Sequence, residues 1–432
     1  MSVDSNNCYT EVDCCRICRN ANLVPVLDLG TQALTGVFPK TYDENVPTGP
    51  LELVKCLAVD GRSACGLVQL RHTYDASQMY GDNYGYRSGL NSSMVAHLQR
   101  KARQVKQVAE LKAGDVVLDI GSNDSTFLQA MREPGVTAIG MDPTAAKFSS
   151  YYPNDIQLIA DFFSADRFHS EFHGCRAKIV TSFSMFYDLD NPLEFMRQIE
   201  NVLADDGIWV FEQSYLPLML ASNSYDTVCH EHQEYYALSQ ILYMVQMTGL
   251  EVVDVERNSV NGGSFSIVAA KHRSKYPKNG EVLERIQREE SDLGLDGLRV
   301  FEDFASRVAG HRVELQQFLA QTNERNHRLF GYGASTKGNV LLQYCGITPD
   351  QLPCIAEVNQ DKFGAFTPGT KIPIVSEQEA KRRQPDAYLV LPWHFRDHIL
   401  EREKPFLDSG HQIVFPLPEL NVVAYAYSAD HR

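Results

Sequence analysis

Short apolar stretches alternate with turns and helical patterns from Gly114 onwards. The stretches DVVLDI, TAIGM, IQLIADFF, AKIVTSF and GIWVFEQSYL are predicted strands. Alternation of this kind predicts a parallel, doubly wound α/β sheet that binds its ligand at the carboxyl ends of the strands. The following pattern, LEVVDVERNSVNGGSFSIVAAK, predicts a hairpin that closes the edge of this sheet.

A second α/β pattern follows a helical stretch at 280–328. HRLFGYGASTKGNVLLQYCGI predicts another strand, glycine-rich turn and helix, and DAYLVLPWHF supplies a further strand. A chain of 432 residues is also too long for one ordinary core. We therefore expect two α/β units in addition to the segment that precedes them.

Four cysteines in the first segment predict a structural zinc site. Cys15 and Cys18 have the C-x2-C spacing with which a turn holds one zinc ion, and Cys56 and Cys65 would complete a tetrahedral set. Four protein ligands leave no open position for a substrate. The alternatives are a reduced, metal-free hairpin, or the replacement of one of these four ligands by Cys8 or Cys14.

Composition restricts the partners. With 40 basic and 55 acidic residues, the formal net charge of −15 opposes broad attraction to nucleic acid or anionic lipid. No apolar run reaches the roughly 20 residues that cross a bilayer, and the first residues lack the pattern of a secretory signal. We expect a cytoplasmic protein with no nucleic-acid or membrane partner, and a monomer by default.

The turn after the first predicted strand of the sheet favours S-adenosylmethionine over a dinucleotide. In the fingerprint G-x-G-x-x-G, Gly121 is kept, whereas Asn123 and Thr126 replace the later glycines. Asp119 and Asp124 flank the turn and disfavour a pyrophosphate at the helix N-terminus. They suit the sulfonium and amino groups of S-adenosylmethionine, so the predicted cofactor contacts here are Asp119, Gly121, Asn123 and Asp124.

Two later acids support this cofactor. Asp142 ends the second strand of the sheet, where it can accept hydrogen bonds from ribose hydroxyls. Asp161, after the third strand, could accept from the adenine amino group, with Phe162 against the ring. A single acid could be a solvent-facing strand end, but the set predicts a class I methyltransferase domain.

Several motifs in one order resemble a known family, the sugar C-methyltransferases of deoxysugar and antibiotic-sugar biosynthesis. They are CRIC, ACGLVQL, YGYRSGLNSSM, VLDIGSNDSTFL, HEHQEYY, NGGSF and GYGASTKGN. The resemblance implies a zinc-binding domain at 1–74, a methyltransferase domain with a tyrosine-rich lead-in at 75–272, and a C-terminal Rossmann-like domain at 273–432. It also implies methylation beside the ketone of a nucleotide-linked 4-keto-deoxysugar.

Carbon methylation explains the titratable groups of TVCHEHQEYY. A sugar carbon becomes nucleophilic when a proton beside the carbonyl is removed, which needs a base and support for the enolate oxygen. His232 is the predicted base, with Glu231 or Glu234 orienting or tuning it, and the resemblance implies the same Glu231-His232 pair. A zinc site of the HExxH type would need histidine at 234. A polar structural loop is the remaining alternative.

The surroundings of this pair depart from the family. Some members carry a tyrosine and an aspartate where this chain has Cys229 and His230, and some carry a histidine where this chain reads SFSMFYDLD. The second acid-base group therefore stays open. In the tyrosine-rich segment, Tyr86 or Tyr84 is a candidate donor to the ligand or enolate, with simple packing as the alternative.

The second glycine-rich turn is predicted to receive the sugar's diphosphate. A helix N-terminus suits phosphate, and Lys337 would offset its charge. A tight strand-to-helix turn without a ligand is the alternative. The predicted substrate contacts are Gly333, Ser335, Thr336, Lys337 and, from the NGGSF motif, Asn261.

Three other functions compete with this prediction. An O- or N-methyltransferase acting on a natural product or glycan would use the same cofactor site. A non-catalytic zinc-containing scaffold would keep the fold without turnover. A zinc-ribbon nucleic-acid-binding protein is disfavoured by the acidic charge and by the lack of interleaved basic and aromatic residues.

Overall fold

The computed structural model describes residues 8–59, 64–75, 79 and 86–425. The strands are β1 (Tyr9–Glu11), β2 (Leu23–Ala33), β3 (Thr48–Cys56), β4 (Val68–Leu70), β5 (His72–Tyr74), β6 (Val116–Ile120), β7 (Thr137–Met141), β8 (Ile156–Ile159), β9 (Ala177–Phe183), β10 (Leu203–Ser214), β11 (Glu234–Tyr235), β12 (Leu250–Asn258), β13 (Ser264–Lys271), β14 (Leu329–Tyr332), β15 (Ile355–Glu357), β16 (Ile374–Ser376), β17 (Ala387–Val390), β18 (Gln412–Phe415) and β19 (Asn421–Ala424).

Helices alternate with the later strands. They are α1 (Ser92–Ala109), α2 (Thr126–Met131), α3 (Ala145–Phe148), α4 (Ala165–Glu171), α5 (Pro192–Val202), α6 (Leu216–Ala221), α7 (Leu238–Val245), α8 (Gly280–Asp292), α9 (Arg299–Glu324), α10 (Thr336–Tyr344), α11 (Glu377–Arg382), α12 (Arg396–Arg402) and α13 (Lys404–Asp408). Among the described residues, no helix combines the length and the apolarity that a membrane span requires.

The central sheet has seven strands in the order β12-β13-β10-β9-β6-β7-β8. The run from β8 to β10 is parallel, and β13 is antiparallel to both of its neighbours. All five residues of β6 are buried, as expected for a parallel strand that helices cover on both faces. The predicted class I methyltransferase sheet and its closing hairpin, β12–β13, are confirmed.

The C-terminal sheet has six strands in the order β16-β15-β14-β17-β18-β19, and only β19 runs antiparallel to its neighbour. It is the predicted second Rossmann-like unit. The helix that follows β14 begins at Thr336, where the Ser335 hydroxyl accepts a hydrogen bond from Gly338 N at 3.0 Å. This N-cap explains why the chain turns into a helix at the predicted position.

The N-terminal sheet contains a strand from a distant part of the sequence. Its order is β11-β4-β3-β2, and a separate two-stranded sheet pairs β1 with β5. In β11, Glu234 pairs with Gln69 and Tyr235 with Val68. The loop that carries the HEHQ residues is therefore attached directly to the sheet that follows the cysteine motif.

Candidate active site

One cavity of about 870 Å³ lies between the central sheet, the C-terminal sheet and segments that adjoin the N-terminal sheet. It lies at the carboxyl ends of β6 and β7 and of β14 and β15. The loop before β11 and the segment after β2 complete its walls. Among the predicted site residues, those that line it are Tyr86, Asp119, Gly121, Asn123, Asp142, Phe162, Glu231, His232, Asn261, Gly333, Ser335, Thr336 and Lys337.

Two buried carboxyl groups form one end of the cavity. Asp119 Oδ1 accepts a hydrogen bond from Thr181 Oγ1 at 2.6 Å, and burial raises the pKa of Asp119 to about 7. Asp142 Oδ1 accepts from the backbone and hydroxyl of Thr144 at 2.7 and 2.6 Å, and its Oδ2 accepts from Asn123 N at 2.8 Å. A carboxylate oxygen can accept about two hydrogen bonds, so Asp119 and the Oδ2 atom of Asp142 remain able to bind a ligand.

The turn between these acids leaves room for a ligand. Gly121 has φ +75°, and an added Cβ would lie 3.2 Å from Met185 Cγ. A side chain there would be strained and crowded. The glycine, the two acids and the apolar Phe162 fit a ligand that carries positive groups, ribose hydroxyls and an aromatic base, which are the features of S-adenosylmethionine.

Two predicted cofactor residues instead hold the preceding segment with their side chains. Asn123 Oδ1 accepts from Ser88 N at 3.0 Å, and its Nδ2 donates to Tyr86 O at 3.2 Å. Asp124 Oδ2 accepts from Gly89 N at 2.9 Å. These contacts fix the end of the tyrosine-rich segment beside the cavity. Tyr86 is half exposed, and the prediction for Tyr84 lies outside the described residues.

Asp161 and Phe162 lie at the open side. Phe162 lines the cavity but is 56% exposed. The Asp161 carboxylate is largely exposed and lies 3.7 Å from Arg167. It is not among the lining residues, so contact with an adenine ring remains a prediction for both positions.

The ring of His232, the predicted base, makes a hydrogen bond through one nitrogen. Its Nδ1 donates to Thr227 O at 2.8 Å, because a carbonyl oxygen can only accept, and this leaves the Nε2 lone pair available. Burial and the nearby charge of Lys337 lower the pKa of His232 to about 3. The Tyr187 ring packs against it with ring centres 4.2 Å apart. The imidazole is therefore neutral at neutral pH.

The two predicted acid partners of His232 have other contacts. Glu231 Oε2 lies 3.4 Å from Thr35 Oγ1, and burial raises the pKa of Glu231. Glu234 lies 3.7 Å from Arg16 and faces the N-terminal sheet. In the described structure, the Thr227 carbonyl rather than either carboxylate orients the ring.

Lys337 brings a positive charge to the same loop. It occupies the first turn of α10, and its Nζ donates to Asn261 O at 2.8 Å. Burial lowers the pKa of Lys337, although the neighbouring Asp226 raises it. Asp226 in turn accepts from Trp393 Nε1 at 2.8 Å. The predicted substrate residues Lys337 and Asn261 thus join the C-terminal sheet to the methyltransferase hairpin.

Several polar side chains that line the cavity on the side of the C-terminal sheet were not predicted from the sequence. Glu357 Oε2 accepts from Ala334 N at 2.8 Å, and Lys362 Nζ donates to Ala334 O at 2.8 Å. Both side chains line the cavity, together with His394 and Arg402. Glu357 is the last residue of the second strand of its sheet, and Asp142 directly follows the second strand of the central sheet. That strand-end position was the available signal.

The four predicted zinc ligands come together. The sulfur atoms of Cys15 and Cys65 are 3.4 Å apart, those of Cys18 and Cys56 are 3.5 Å apart, and all four lie within 4.8 Å of one another. Tetrahedral zinc with bonds of about 2.3 Å places its sulfur ligands about 3.8 Å apart. The four sulfur atoms therefore fit one structural zinc ion in a site with no open coordination position.

Models of known protein families match three successive parts of this chain. Family models match residues 15–80 (“Putative zinc binding domain”), 94–255 (“Methyltransferase domain”) and 259–418 (“C-methyltransferase C-terminal domain”). A relative, C-methyltransferase NovU of Streptomyces niveus, is 29% identical over 419 residues, which cover 96% of this chain and 97% of the relative.

Solved structures that are similar to part of the chain include two methyltransferases. The CcbJ methyltransferase of Streptomyces caelestis is 15% identical, with 40% of this chain and 89% of that chain covered and a TM-score of 0.32. The plantazolicin methyltransferase BpumL is 11% identical, with coverages of 43% and 88% and a TM-score of 0.35.

The chain is an S-adenosylmethionine-dependent methyltransferase, whose cofactors are S-adenosylmethionine and a structural zinc ion. More particularly, it combines the zinc-binding, methyltransferase and C-methyltransferase C-terminal domains in one chain, as predicted. The domain boundaries at 74 and 272 and the roles of individual site residues remain predictions.

Proposed function

We propose that this enzyme methylates the carbon next to the ketone of a nucleotide-linked 4-keto-deoxysugar, through an enolate formed in the cavity. The observation that carries the proposal is the single cavity that joins both Rossmann-like sheets and the His232 loop. Sites that bury one small ligand usually occupy about 300–1,000 Å³. The cavity of about 870 Å³ lies near the upper end of that range. The proposal that it holds both a cofactor and a nucleotide-linked substrate therefore rests on its two Rossmann-like walls and not on its volume.

S-adenosylmethionine supplies an electrophilic methyl group when bound. Asp119 and Asp142 would hold its charged and hydroxyl groups at the carboxyl ends of β6 and β7. The chain's remaining task is to make the acceptor carbon nucleophilic, and the acceptor would lie between this wall and the C-terminal sheet.

His232 Nε2 would remove the proton from the carbon beside the ketone. The electron pair of the C–H bond then moves into the carbonyl group and forms the enolate, whose oxygen needs a hydrogen-bond donor or a cation. When the enolate carbon forms its bond to the methyl group, the ketone is restored, and the electron pair of the broken S–CH3 bond would stay on the cofactor's sulfur as a neutral thioether. The proton on His232 leaves to solvent before the next cycle.

The negative charge of the proposed substrate would raise the pKa of His232. A general base works best when its pKa lies near the working pH, whereas burial and Lys337 lower the pKa of His232 to about 3. A diphosphate near Lys337 would offset that positive charge and raise the pKa of His232. The base would therefore become stronger when an anionic substrate is bound.

Deuterium exchange tests the proposal before the true acceptor is known. The protein is incubated in heavy water with a panel of nucleotide-linked 4-keto-6-deoxy sugars, and mass spectrometry follows uptake at the carbons beside the ketone. We expect uptake with the wild type and with His327→Ala, an exposed control, but not with His232→Ala. Calorimetry should show equal S-adenosylmethionine affinity for all three proteins.

No exchange across the panel, despite tight cofactor binding, would contradict the enolate mechanism. It would favour O- or N-methylation of another acceptor. Full exchange by His232→Ala would assign the base to another residue.

A further inference from the structure

The segment that follows β2 lines part of the active-site cavity. It continues from the N-terminal sheet β11-β4-β3-β2, which we call the zinc-binding sheet because Cys56 lies in β3. After β2 ends at Ala33, residues 33–38 become buried, and Leu34 and Thr35 are 1% and 0% exposed. Gly36 and Phe38 line the cavity. This crossing segment, residues 33–38, lies between the His232 loop and helix α10.

Helix α10 fixes the crossing segment from the C-terminal side. Ala33 N donates to Gln343 Oε1 at 2.8 Å, and Gln343 Nε2 donates back to Ala33 O at 3.1 Å. Asn339 Nδ2 donates to Thr35 O at 2.8 Å. Buried backbone groups need such partners, so these bonds set the position of the segment along the helix.

His230 joins the segment to the catalytic loop. Thr35 N donates to His230 Nδ1 at 3.3 Å, so His230 Nε2 carries the hydrogen, which points to Gly49 O at 3.4 Å. Burial lowers the pKa of His230 to about 4, which keeps the ring neutral. Both ring nitrogens are therefore hydrogen-bonded, Nδ1 to the crossing segment and Nε2 to β3 of the zinc-binding sheet. This occupancy explains why His232, rather than His230, presents a basic nitrogen.

Glu231 lies directly against the segment. Since Thr35 N takes the single lone pair of His230 Nδ1, the Thr35 hydroxyl can donate to Glu231 Oε2 at 3.4 Å. A Cβ added to Gly36 would lie 2.1 Å from Glu231 Oε1. Only glycine lets the backbone approach the carboxylate this closely.

The other flank of His232 is attached to the same sheet. Glu234 and Tyr235 form β11, which pairs with β4. The zinc-binding sheet therefore holds the catalytic loop on both sides of His232, through the crossing segment before it and through β11 after it.

We propose that Thr35 and Gly36 are positioning residues that set the place of Glu231 beside His232, so that the zinc-binding domain completes the active site. This inference rests on the proposed function, because it assumes that Glu231 acts with His232 during proton removal. The zinc-binding domain then has a role in catalysis, although its metal has no open position for a substrate.

The test compares Gly36→Ala with Gly310→Ala, a control in α9 where an added Cβ meets nothing within 4 Å. The readouts are kcat and KM for deuterium exchange, S-adenosylmethionine affinity and zinc content. Misplacement of a catalytic group by about 1 Å can cost about 100-fold in rate. We expect a loss of about that size in kcat for Gly36→Ala, with the other three quantities unchanged.

Thr35→Val and Thr35→Ser form a second pair. The serine variant keeps the hydroxyl and should retain kcat, whereas the valine variant should lose it. Wild-type kcat in Gly36→Ala would overturn the inference, as would a parallel loss of zinc or cofactor affinity, which marks a purely structural role. If Gly36→Ala does not fold, equal kcat for the two Thr35 variants would overturn it.

A spectroscopic readout separates this inference from the proposed function. If the wild type shows no exchange, the proposed function fails. The infrared carboxyl band of Glu231, isolated by subtracting each protein's Glu231→Gln counterpart, still reports on the contact. A band that shifts in Thr35→Val but not in Thr35→Ser supports the positioning contact, and an unshifted band overturns it.

Discussion

Cofactor affinity should depend on pH through Asp119. Burial holds the pKa of this carboxyl at about 7, against an ordinary value of 3.8. At about 1.36 kcal/mol per pKa unit, the difference corresponds to about 4 kcal/mol against the ionised form. A bound cation favours the ionised form, so binding must release the proton that Asp119 carries below pH 7.

The sign and size of the effect follow from linkage. Because Asp119 is protonated in the cofactor-free protein below pH 7, affinity falls as the pH falls through that value. Between pH 8 and pH 5.5 the loss should be about 30-fold, with about one proton released per cofactor bound at pH 6 and almost none at pH 8.

Calorimetry in two buffers with different ionisation enthalpies measures both the affinity and the proton count. Asp119→Asn keeps the shape of the side chain but cannot ionise, and subtracting its pH profile removes the titration of the cofactor's own amino group. The reasoning is refuted if the wild-type affinity is flat over this range, or if Asp119→Asn keeps the same slope.

Three further outcomes are expected. Elemental analysis should give one zinc ion per chain. The Cys15→Ser variant should lose this zinc ion and have a lower melting temperature. A metal-free wild type of full stability would contradict the zinc site. Asp142→Ala should abolish S-adenosylmethionine binding by calorimetry, and unchanged affinity would remove Asp142 from the cofactor site. Lys337→Met removes a charge that lowers the pKa of His232, so the pH below which deuterium exchange is lost should move upwards. An unchanged pH profile of the exchange rate would show that Lys337 does not influence the pKa of the base.

The fold was predictable where local patterns decide it. Continuous apolar strands such as β6, the hairpin around Asn261 and the helix start at Ser335 each follow from a short stretch of sequence. The four zinc cysteines were also predictable, although Cys56 and Cys65 are more widely spaced than usual. Cys56 ends β3 and Cys65 lies just before β4, and the pairing of these two strands brings the cysteines together.

The contacts inside the site were less predictable, because they join distant segments. Asn123 and Asp124 have the residue types expected near a cofactor, yet their side chains hold residues 86–89. No local pattern indicates that Thr35 meets Glu231, which lies 196 positions later. A glycine within the apolar run ALTGVF was the one available sign that another group approaches the backbone at Gly36.

The position of the transferred methyl group tests the central claim most directly. The enzyme is incubated with S-adenosylmethionine labelled with ¹³C in its methyl group and with the keto-sugar that shows the fastest deuterium exchange. Carbon NMR of the product then shows whether the label is bonded to carbon or to oxygen. We predict a labelled methyl group coupled to the ring carbon beside the ketone, and a label found on oxygen or nitrogen would contradict the account.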